Sequence, residues 1–252
     1  MDDLLLVLAV LPALVLMIYV YRKDRVEREP LGLLLLLCLG GCISVVPTMI
    51  CELMAESVLL STFGDTLSFI VADNFLGVAL IEEGWKLVFL ILIAWSSRHF
   101  THFFDGIVYA VFVSLGFALV ENIFYVGGEE TIGDAIALAG SRGLLSVPLH
   151  AFCGVFMGFF FSRAKAASLK GSHAAFDGAR FLTLAVPVLI HGFYDFCLSI
   201  DSDLVMTIFF LFVIVVYLYA FRFIRKNSKE DRALPAAPLF PSGKKSRWWK
   251  MP

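Results

Sequence analysis

Long apolar runs alternate with short polar segments along the whole chain, and seven of the runs are long enough to cross a lipid bilayer. A helix needs roughly 20 apolar residues to span a hydrocarbon core of about 30 Å. The pattern therefore predicts seven transmembrane helices, at residues 4–20, 31–50, 75–95, 106–126, 144–161, 181–200 and 204–223. Residues 58–72 are too few to span comfortably and hold Gly64 and Asp65 in their middle. We expect an interfacial or re-entrant piece there, with an eighth crossing as the alternative.

Composition indicates the same class of protein. Of the 252 residues, 60 % are hydrophobic and 17 % are charged, whereas soluble domains are about 45–50 % apolar and about 25 % charged. One soluble core cannot hide that excess, so lipid must solvate the outer surface. We therefore expect an all-α, polytopic membrane bundle. The sequence shows no folded basic face, which argues against nucleic-acid binding.

Basic residues are distributed unevenly between the predicted loops. Eighteen of the 20 Lys and Arg residues fall in segments 22–29, 97–104, 163–180 and 222–250, which share one side of a seven-helix bundle. Because cytoplasmic loops carry an excess of Lys and Arg, we predict an external N-terminus and a cytoplasmic C-terminus. We also expect residence in the cell membrane of a bacterium or archaeon. A transmembrane domain would occupy residues 1–226, and a disordered, basic cytoplasmic tail would occupy residues 227–252.

Ionisable residues inside the third predicted span are the first candidates for chemistry. Glu82, Glu83 and Lys86 would each cost about 2.5–3.5 kcal/mol near the middle of a membrane helix. Lys86 follows the two glutamates by four and three residues, so it can neutralise one of them on the same helix face. A salt bridge that locks the helix explains one carboxylate but not two adjacent ones. We therefore interpret the group as functional.

Polar residues in three further spans lie at the same depth as the glutamate pair. They are Glu121 and Asn122 in the fourth span, His150 in the fifth, and His191 and Asp195 in the sixth. At 1.5 Å per residue, the carboxylates and imidazoles fall roughly 7–13 Å below the predicted outer surface. Four helices therefore deliver these groups into one layer, which predicts a single site that water reaches from outside the cell.

Carboxylates together with imidazoles suit general acid–base activation of water. No HExxH motif, phosphate-binding glycine loop or convincing serine nucleophile accompanies them. Hydrolysis by water within a lipid-embedded cavity is the simplest interpretation.

Motifs on successive spans resemble those of a known family. The motifs are Glu82-Glu83-x-x-Lys86, Phe117-x-x-x-Glu121 and His191-x-x-x-Asp195, together with Asp24-x-x-Glu27-x-Glu29-Pro30 and Asp105-Gly106. In this combination the chain resembles the PrsW intramembrane proteases, which are similar to the CAAX prenyl endopeptidases and to the Aph subunit of gamma-secretase. The resemblance implies hydrolysis of a peptide bond in or beside the membrane. It also implies a typical substrate, a membrane-anchored anti-sigma factor cut first on its extracytoplasmic side.

With this resemblance, four residues become catalytic candidates: Glu82, Glu83, His150 and His191. One glutamate would take a proton from the attacking water, and Lys86 would hold the other. The histidines would activate water or stabilise the tetrahedral oxyanion, and Asp195 would orient His191. Glu121 and Asn122 would complete the cavity, with Asn122 as a candidate oxyanion donor.

This interpretation requires no cofactor, and its partners are the bilayer and a single-span protein substrate. The alternative is a zinc protease, with ligands Glu82, Glu121, His150 and His191. A proton-coupled transporter is a rival of another class, but the chain shows no internal repeat of the kind that transporters have. A non-catalytic Aph-like scaffold is a further rival, but paired carboxylates bring a scaffold no advantage.

Overall fold

The computed structural model describes residues 3–236, and these residues form helices and their connections only. The helices are α1 Asp3–Lys23, α2 Leu31–Phe63, α3 Leu67–Ala72, a π-helical segment Asp73–Ala79, α4 Leu80–Ala94, α5 Phe103–Gly127, α6 Ile132–Leu144, α7 Ser146–Leu169, α8 His173–Leu198 and α9 Asp203–Lys229. A helix satisfies its backbone hydrogen bonds internally, as lipid demands of a spanning segment. The predicted all-α membrane bundle is confirmed.

Six stretches of the described chain are long and apolar enough to cross a membrane. They are α1, α2, α5, the continuous pair α6–α7, α8 and α9. The remaining predicted crossing, at residues 75–95, is built from two elements. The 15 residues of α4 reach only about 22 Å, and the 7-residue π-helical segment that precedes α4 without a break supplies further length.

Residues 58–72, where we expected an interfacial or re-entrant piece, do not form a separate element. Helix α2 continues to Phe63 and has 33 residues, or roughly 50 Å of helix, which exceeds the membrane core. The chain then turns at Gly64, whose φ of 63° suits a residue without a side chain. Helix α3 starts after Thr66, whose hydroxyl accepts a hydrogen bond from the Phe69 amide at 3.3 Å. Residues 58–72 are therefore the end of one helix and the start of the next.

A helix also stands where we expected an outer loop, at residues 127–143. Thr131 caps its start by accepting a hydrogen bond from the Asp134 amide at 3.1 Å. Small residues on one face of α6 pack against α1, where Ala135 and Ala139 share an apolar cluster with Ala9. This helix is short and only partly apolar, so a search for long apolar runs does not find it.

The predicted boundary between residues 226 and 227 does not coincide with an end of the fold. Helix α9 continues to Lys229, and the segment after it runs beside the α4–α5 connection. There the Leu234 amide donates to the Thr101 carbonyl at 2.7 Å, and the Phe103 amide donates to the Arg232 carbonyl at 3.0 Å. The rest of the predicted disordered tail, residues 237–252, lies outside the described residues.

Helix α5 lies at the centre of the bundle, and glycines bring its neighbours close. A Cβ on Gly116 would lie 2.1 Å from the Cys38 carbonyl oxygen of α2, and a Cβ on Gly158 of α7 would lie 2.1 Å from the Gly106 carbonyl oxygen. Small residues allow such backbone approach between membrane helices. These contacts set the distance from α5 to α2 and α7. They therefore also set the distance between Glu121 on α5 and His150 on α7.

We expect Gly158→Ala to lower the stability of the bundle by at least about 1–3 kcal/mol, because the added methyl group must push α5 and α7 apart. Gly178→Ala in α8 is the matched control, since nothing lies within 4 Å of the Cβ that it would add. Thermal unfolding of the two purified variants in detergent measures the difference. Equal midpoints would contradict the close α5–α7 contact.

Candidate functional site

The glutamate pair and the lysine of α4 form a buried ion group. Lys86 Nζ lies 2.9 Å from Glu82 Oε2 and 2.8 Å from Glu83 Oε1. Glu83 and Lys86 are completely buried, and Glu82 is 5 % exposed. Spacings of three and four residues bring both carboxylates to the ammonium group along one helix face. The lysine therefore compensates for carboxylate charge that lipid cannot solvate.

His150 of α7 joins this group to Glu121 of α5. Its Nδ1 lies 3.0 Å from Lys86 Nζ, and its Nε2 lies 2.8 Å from Glu121 Oε2. An ammonium group only donates hydrogen bonds, so Nδ1 must accept one. The ring proton is consequently on Nε2, which donates to Glu121. We call Lys86 with Glu82, Glu83 and His150 the Lys86 network.

His191 of α8 contacts the Lys86 network through Glu83. Its Nδ1 donates to Glu83 Oε1 at 3.0 Å, and its Nε2 lies 3.2 Å from Asp195 Oδ2. Its ring is nearly perpendicular to that of His150, with 5.1 Å between the centroids. Asp195, one turn farther along α8, thus lies where it can orient the His191 ring. The structure brings together Glu82, Glu83, Lys86, Glu121, His150, His191 and Asp195.

Phe117 forms an aromatic wall beside the charged groups. Lys86 Nζ lies 4.1 Å from the centre of its ring, and the His150 ring is 5.8 Å away between centroids. A cation over an aromatic face is attracted by the ring electrons, more so where water is excluded. Phe117 is one turn before Glu121, so the motif Phe117-x-x-x-Glu121 places an aromatic contact and an acid on the same face of α5.

Arg142, at the last turn of α6, is a site residue that sequence reasoning missed. Its guanidinium Nη2 lies 3.0 Å from Glu121 Oε2 and its Nε donates to Asn122 Oδ1 at 2.8 Å. The guanidinium also stacks on the Tyr125 ring at 4.0 Å. One signal was available in the sequence, because Arg142 is the lone basic residue in the predicted outer loops.

Asn122 has a different place from the one we expected. Its side chain is completely buried, and its amide nitrogen donates to the Ala9 carbonyl of α1 at 2.7 Å. Its oxygen accepts from Arg142. Asn122 therefore holds α1, α5 and α6 together, and the predicted role as an oxyanion donor is not supported by this arrangement.

A cavity of about 550 Å³ opens beside the charged groups, between α2, the π-helical segment, α4 and α5. Its lining includes Glu82, Phe117, Glu121 and Tyr125, and three further acids that sequence reasoning missed, Glu52, Glu56 and Asp73. Glu82 Oε2 contacts Lys86, and Oε1 makes no hydrogen bond within the described residues. Glu83 does not line this cavity and instead contacts Lys86 and His191. Of the two adjacent glutamates, Glu82 is the one that a bound substrate would meet.

The same residues offer donor atoms of the kind that zinc prefers. One atom each from Glu82, Glu83, His150 and His191 lies within 4.8 Å of the others. This group shares Glu82, His150 and His191 with the expected zinc ligands and contains Glu83 where we expected Glu121. Lys86 Nζ, however, lies within 3.0 Å of three of these four side chains. A metal ion would have to displace that ammonium group. The residues as arranged therefore fit the positive charge of Lys86 better than they fit zinc.

Comparison with known proteins places the chain in a family. The family described as "PrsW family intramembrane metalloprotease" matches residues 29–221. This chain belongs to the PrsW family. The predicted family, the protease class and the multi-pass membrane location are thereby confirmed.

Curated relatives from several bacteria carry the name Protease PrsW. The protein of Clostridioides difficile (strain 630) is 31 % identical over 216 residues, which cover 84 % of this chain and 87 % of the relative. That of Bacillus subtilis (strain 168) is 34 % identical over 220 residues, covering 86 % and 91 %. That of Geobacillus kaustophilus (strain HTA426) is 37 % identical over 191 residues, covering 75 % and 77 %. No solved structure shows significant similarity to this chain.

Proposed function

We propose that this PrsW-family protease cleaves a single-span membrane protein of the anti-sigma-factor type near its extracytoplasmic face, with water activated by Glu82. The observation that carries the proposal is the position of Glu82. Its carboxylate lines the 550 Å³ cavity and also belongs to the buried Lys86 network. The basic segments lie at the other end of the bundle, which supports an opening of the cavity toward the outside.

Glu82 has the geometry of a general base. Lys86 holds Oε2, which leaves Oε1 to accept a hydrogen bond from a water molecule in the cavity. As this water attacks the carbonyl carbon of the scissile bond, Glu82 takes its proton. Glu82 then returns the proton to the leaving amine when the carbon–nitrogen bond breaks. Glu83 and Asp195 act as positioning residues, because they hold Lys86 and His191 without lining the cavity.

Two donors are available for the negative oxygen of the tetrahedral intermediate. His150 Nε2 and Arg142 Nη2 lie 2.8 and 3.0 Å from the same atom, Glu121 Oε2, on the cavity wall. The Glu121 carboxylate marks a position where both groups can meet a negative oxygen, and Glu121 must move aside before an oxyanion can take that position. We assign the oxyanion role to these two groups, and to Glu121 the role of holding them in place between turnovers.

Zinc-dependent hydrolysis is the second candidate function. The convergence of Glu82, Glu83, His150 and His191 and the word metalloprotease in the family description favour it. In that case zinc would supply Lewis-acid activation of the water.

Co-expression with candidate single-span proteins tests the proposed activity. We expect a cleavage product that carries the extracytoplasmic portion of the substrate in cells with the unaltered protease, and none with the Glu82→Gln variant. The surface variant Asp177→Asn, which alters an exposed carboxylate, should give the product in full. A product cut on the cytoplasmic side would contradict the proposed orientation.

Chelation separates the two mechanisms. Because Lys86 already compensates the carboxylates, we expect the purified protease in detergent to keep its cleavage rate within about twofold after prolonged treatment with 1,10-phenanthroline. Elemental analysis of the active protein should then find zinc far below one ion per chain. Loss of activity that returns specifically with added zinc would favour the metal mechanism instead.

A further inference from the structure

A second group of buried carboxylates lies far from the Lys86 network. Asp24 and Glu29 belong to the α1–α2 connection, and Asp105 lies in the first turn of α5. These side chains are 1 %, 3 % and 0 % exposed, and one oxygen of each lies within 4.8 Å of the others. Glu121 follows Asp105 by 16 positions along α5, which puts roughly 24 Å between the two groups. We call these three residues the acidic cluster.

Most oxygens of the acidic cluster lack a partner. Both oxygens of Asp24, Oε2 of Glu29 and Oδ1 of Asp105 are buried without a hydrogen bond of good geometry. Among residues 3–236, no Lys, Arg or His forms an ion pair with any of the three carboxylates. Buried acids normally have hydrogen bonds or a counter-charge, because an isolated buried charge is very unfavourable.

A buried hydroxyl outside the acidic cluster is directed at the same place. Tyr109, one turn after Asp105 on α5, is completely buried, and its hydroxyl has no hydrogen-bond partner of good geometry. This hydroxyl lies beside Glu29 and within electrostatic range of Asp24 and Asp105. A tyrosine hydroxyl in such a position normally finds a partner. The Tyr109 hydroxyl and the three carboxylates thus converge at one place.

Backbone contacts hold part of the acidic cluster in position. Asp105 Oδ2 accepts hydrogen bonds from the amides of Thr101 at 2.8 Å and His102 at 2.7 Å, which leaves Oδ1 directed inward. Three buried carboxylates this close together need a counter-charge, and no Lys or Arg side chain in the described part of the chain supplies one within ion-pair distance.

We propose that the acidic cluster binds one divalent cation of the hard type, Mg²⁺ or Ca²⁺, through Asp24, Glu29 and Asp105. Such ions prefer carboxylate oxygens and bring water molecules as further ligands. Tyr109 then contacts the ion or one of its water ligands. The ion ties the α1–α2 connection to the start of α5, and its role is distinct from that of the Lys86 network.

Manganese binding followed by electron paramagnetic resonance tests this site, with Mn²⁺ as the probe on the full-length protein in detergent. We expect one saturable Mn²⁺ site per chain that Mg²⁺ or Ca²⁺ displaces, and at least tenfold weaker binding in Asp24→Asn. The matched control is Glu27→Gln, in the same connection, whose side chain is 59 % exposed. It should bind Mn²⁺ like the unaltered protein. Because both variants keep the Lys86 network, an ion bound there would stay in both.

Thermal unfolding gives a second measurement. We expect Mg²⁺ or Ca²⁺ to raise the unfolding midpoint of the unaltered protein and of Glu27→Gln, and to leave Asp24→Asn unchanged. Glu29→Gln repeats the test if Asp24→Asn does not fold. Absence of Mn²⁺ binding, equal Mn²⁺ binding by the unaltered protein and Asp24→Asn, or a midpoint independent of the cation would overturn the proposal. In that case protons, and not a cation, neutralise the carboxylates of the acidic cluster.

Discussion

Glutamine in place of Glu82 is expected to lower the rate of peptide-bond cleavage by about 10²–10⁴-fold, the range in which a positioned general base contributes. Glutamine has nearly the same shape and still offers Lys86 an oxygen, so the fold and the cavity should remain. It cannot take a proton from water at neutral pH. The measurement is the single-turnover cleavage rate of a substrate peptide by the purified variant in detergent.

Two other glutamate-to-glutamine variants make this result specific. Glu56 lines the same cavity and is exposed, so Glu56→Gln removes a charge there without touching Lys86 and should keep the rate. Glu83 bonds both Lys86 and His191, so Glu83→Gln should lower the thermal midpoint as well as the rate. Full activity of Glu82→Gln, or a loss in Glu56→Gln of the same size, would remove Glu82 from the mechanism.

The fold follows from the sequence wherever burial in lipid is the dominant requirement. Long apolar runs mark α1, α5, α8 and α9 because each spanning helix must satisfy its own backbone and present apolar side chains to lipid. The pattern fails for α6, which is small-residue rich and packs on α1, and for α2, which continues beyond the membrane core. Contacts with α1 decide where α6 forms, and the apolar run of α2 is longer than a span requires, so hydropathy alone gives neither helix correctly.

The gathering of acids and imidazoles at one depth also follows from the sequence, because rise per residue converts position into depth. The rotation of each helix about its own axis does not follow from the sequence. Glu82 and Glu83 point about 100° apart, and which of them faces the cavity depends on how α4 packs against α5 and α8. Arg142 reaches Glu121 from a helix that hydropathy did not show, and Asn122 bonds to the Ala9 carbonyl because of how α1 packs on α5. Side-chain partners of this kind can be identified only once the packing of the helices is known.

Methionine in place of Lys86 is expected to destabilise the protein by about 3–5 kcal/mol, which is the usual cost of removing one partner from a buried ion pair. Lys86 is completely buried and contacts Glu82, Glu83 and His150. Methionine fills a similar volume but leaves two adjacent carboxylates without a counter-charge. For a chain of this size the thermal midpoint should fall by roughly 6–20 °C. Differential scanning fluorimetry of purified protein in detergent measures the fall.

A second lysine and a double variant separate the loss of charge from the loss of a side chain. Lys165 Nζ donates to the Trp95 carbonyl at 2.6 Å, away from the site. Lys165→Met therefore removes a half-buried ammonium group that contacts no carboxylate, and it should destabilise the protein less. Glu83→Gln combined with Lys86→Met should be more stable than Lys86→Met alone, because one unpaired carboxylate has been removed. Coupling between contacting groups is about 0.5–3 kcal/mol. If the two changes simply add, Lys86 does not stabilise the glutamate pair, and the carboxylates of α4 are held apart by some other means.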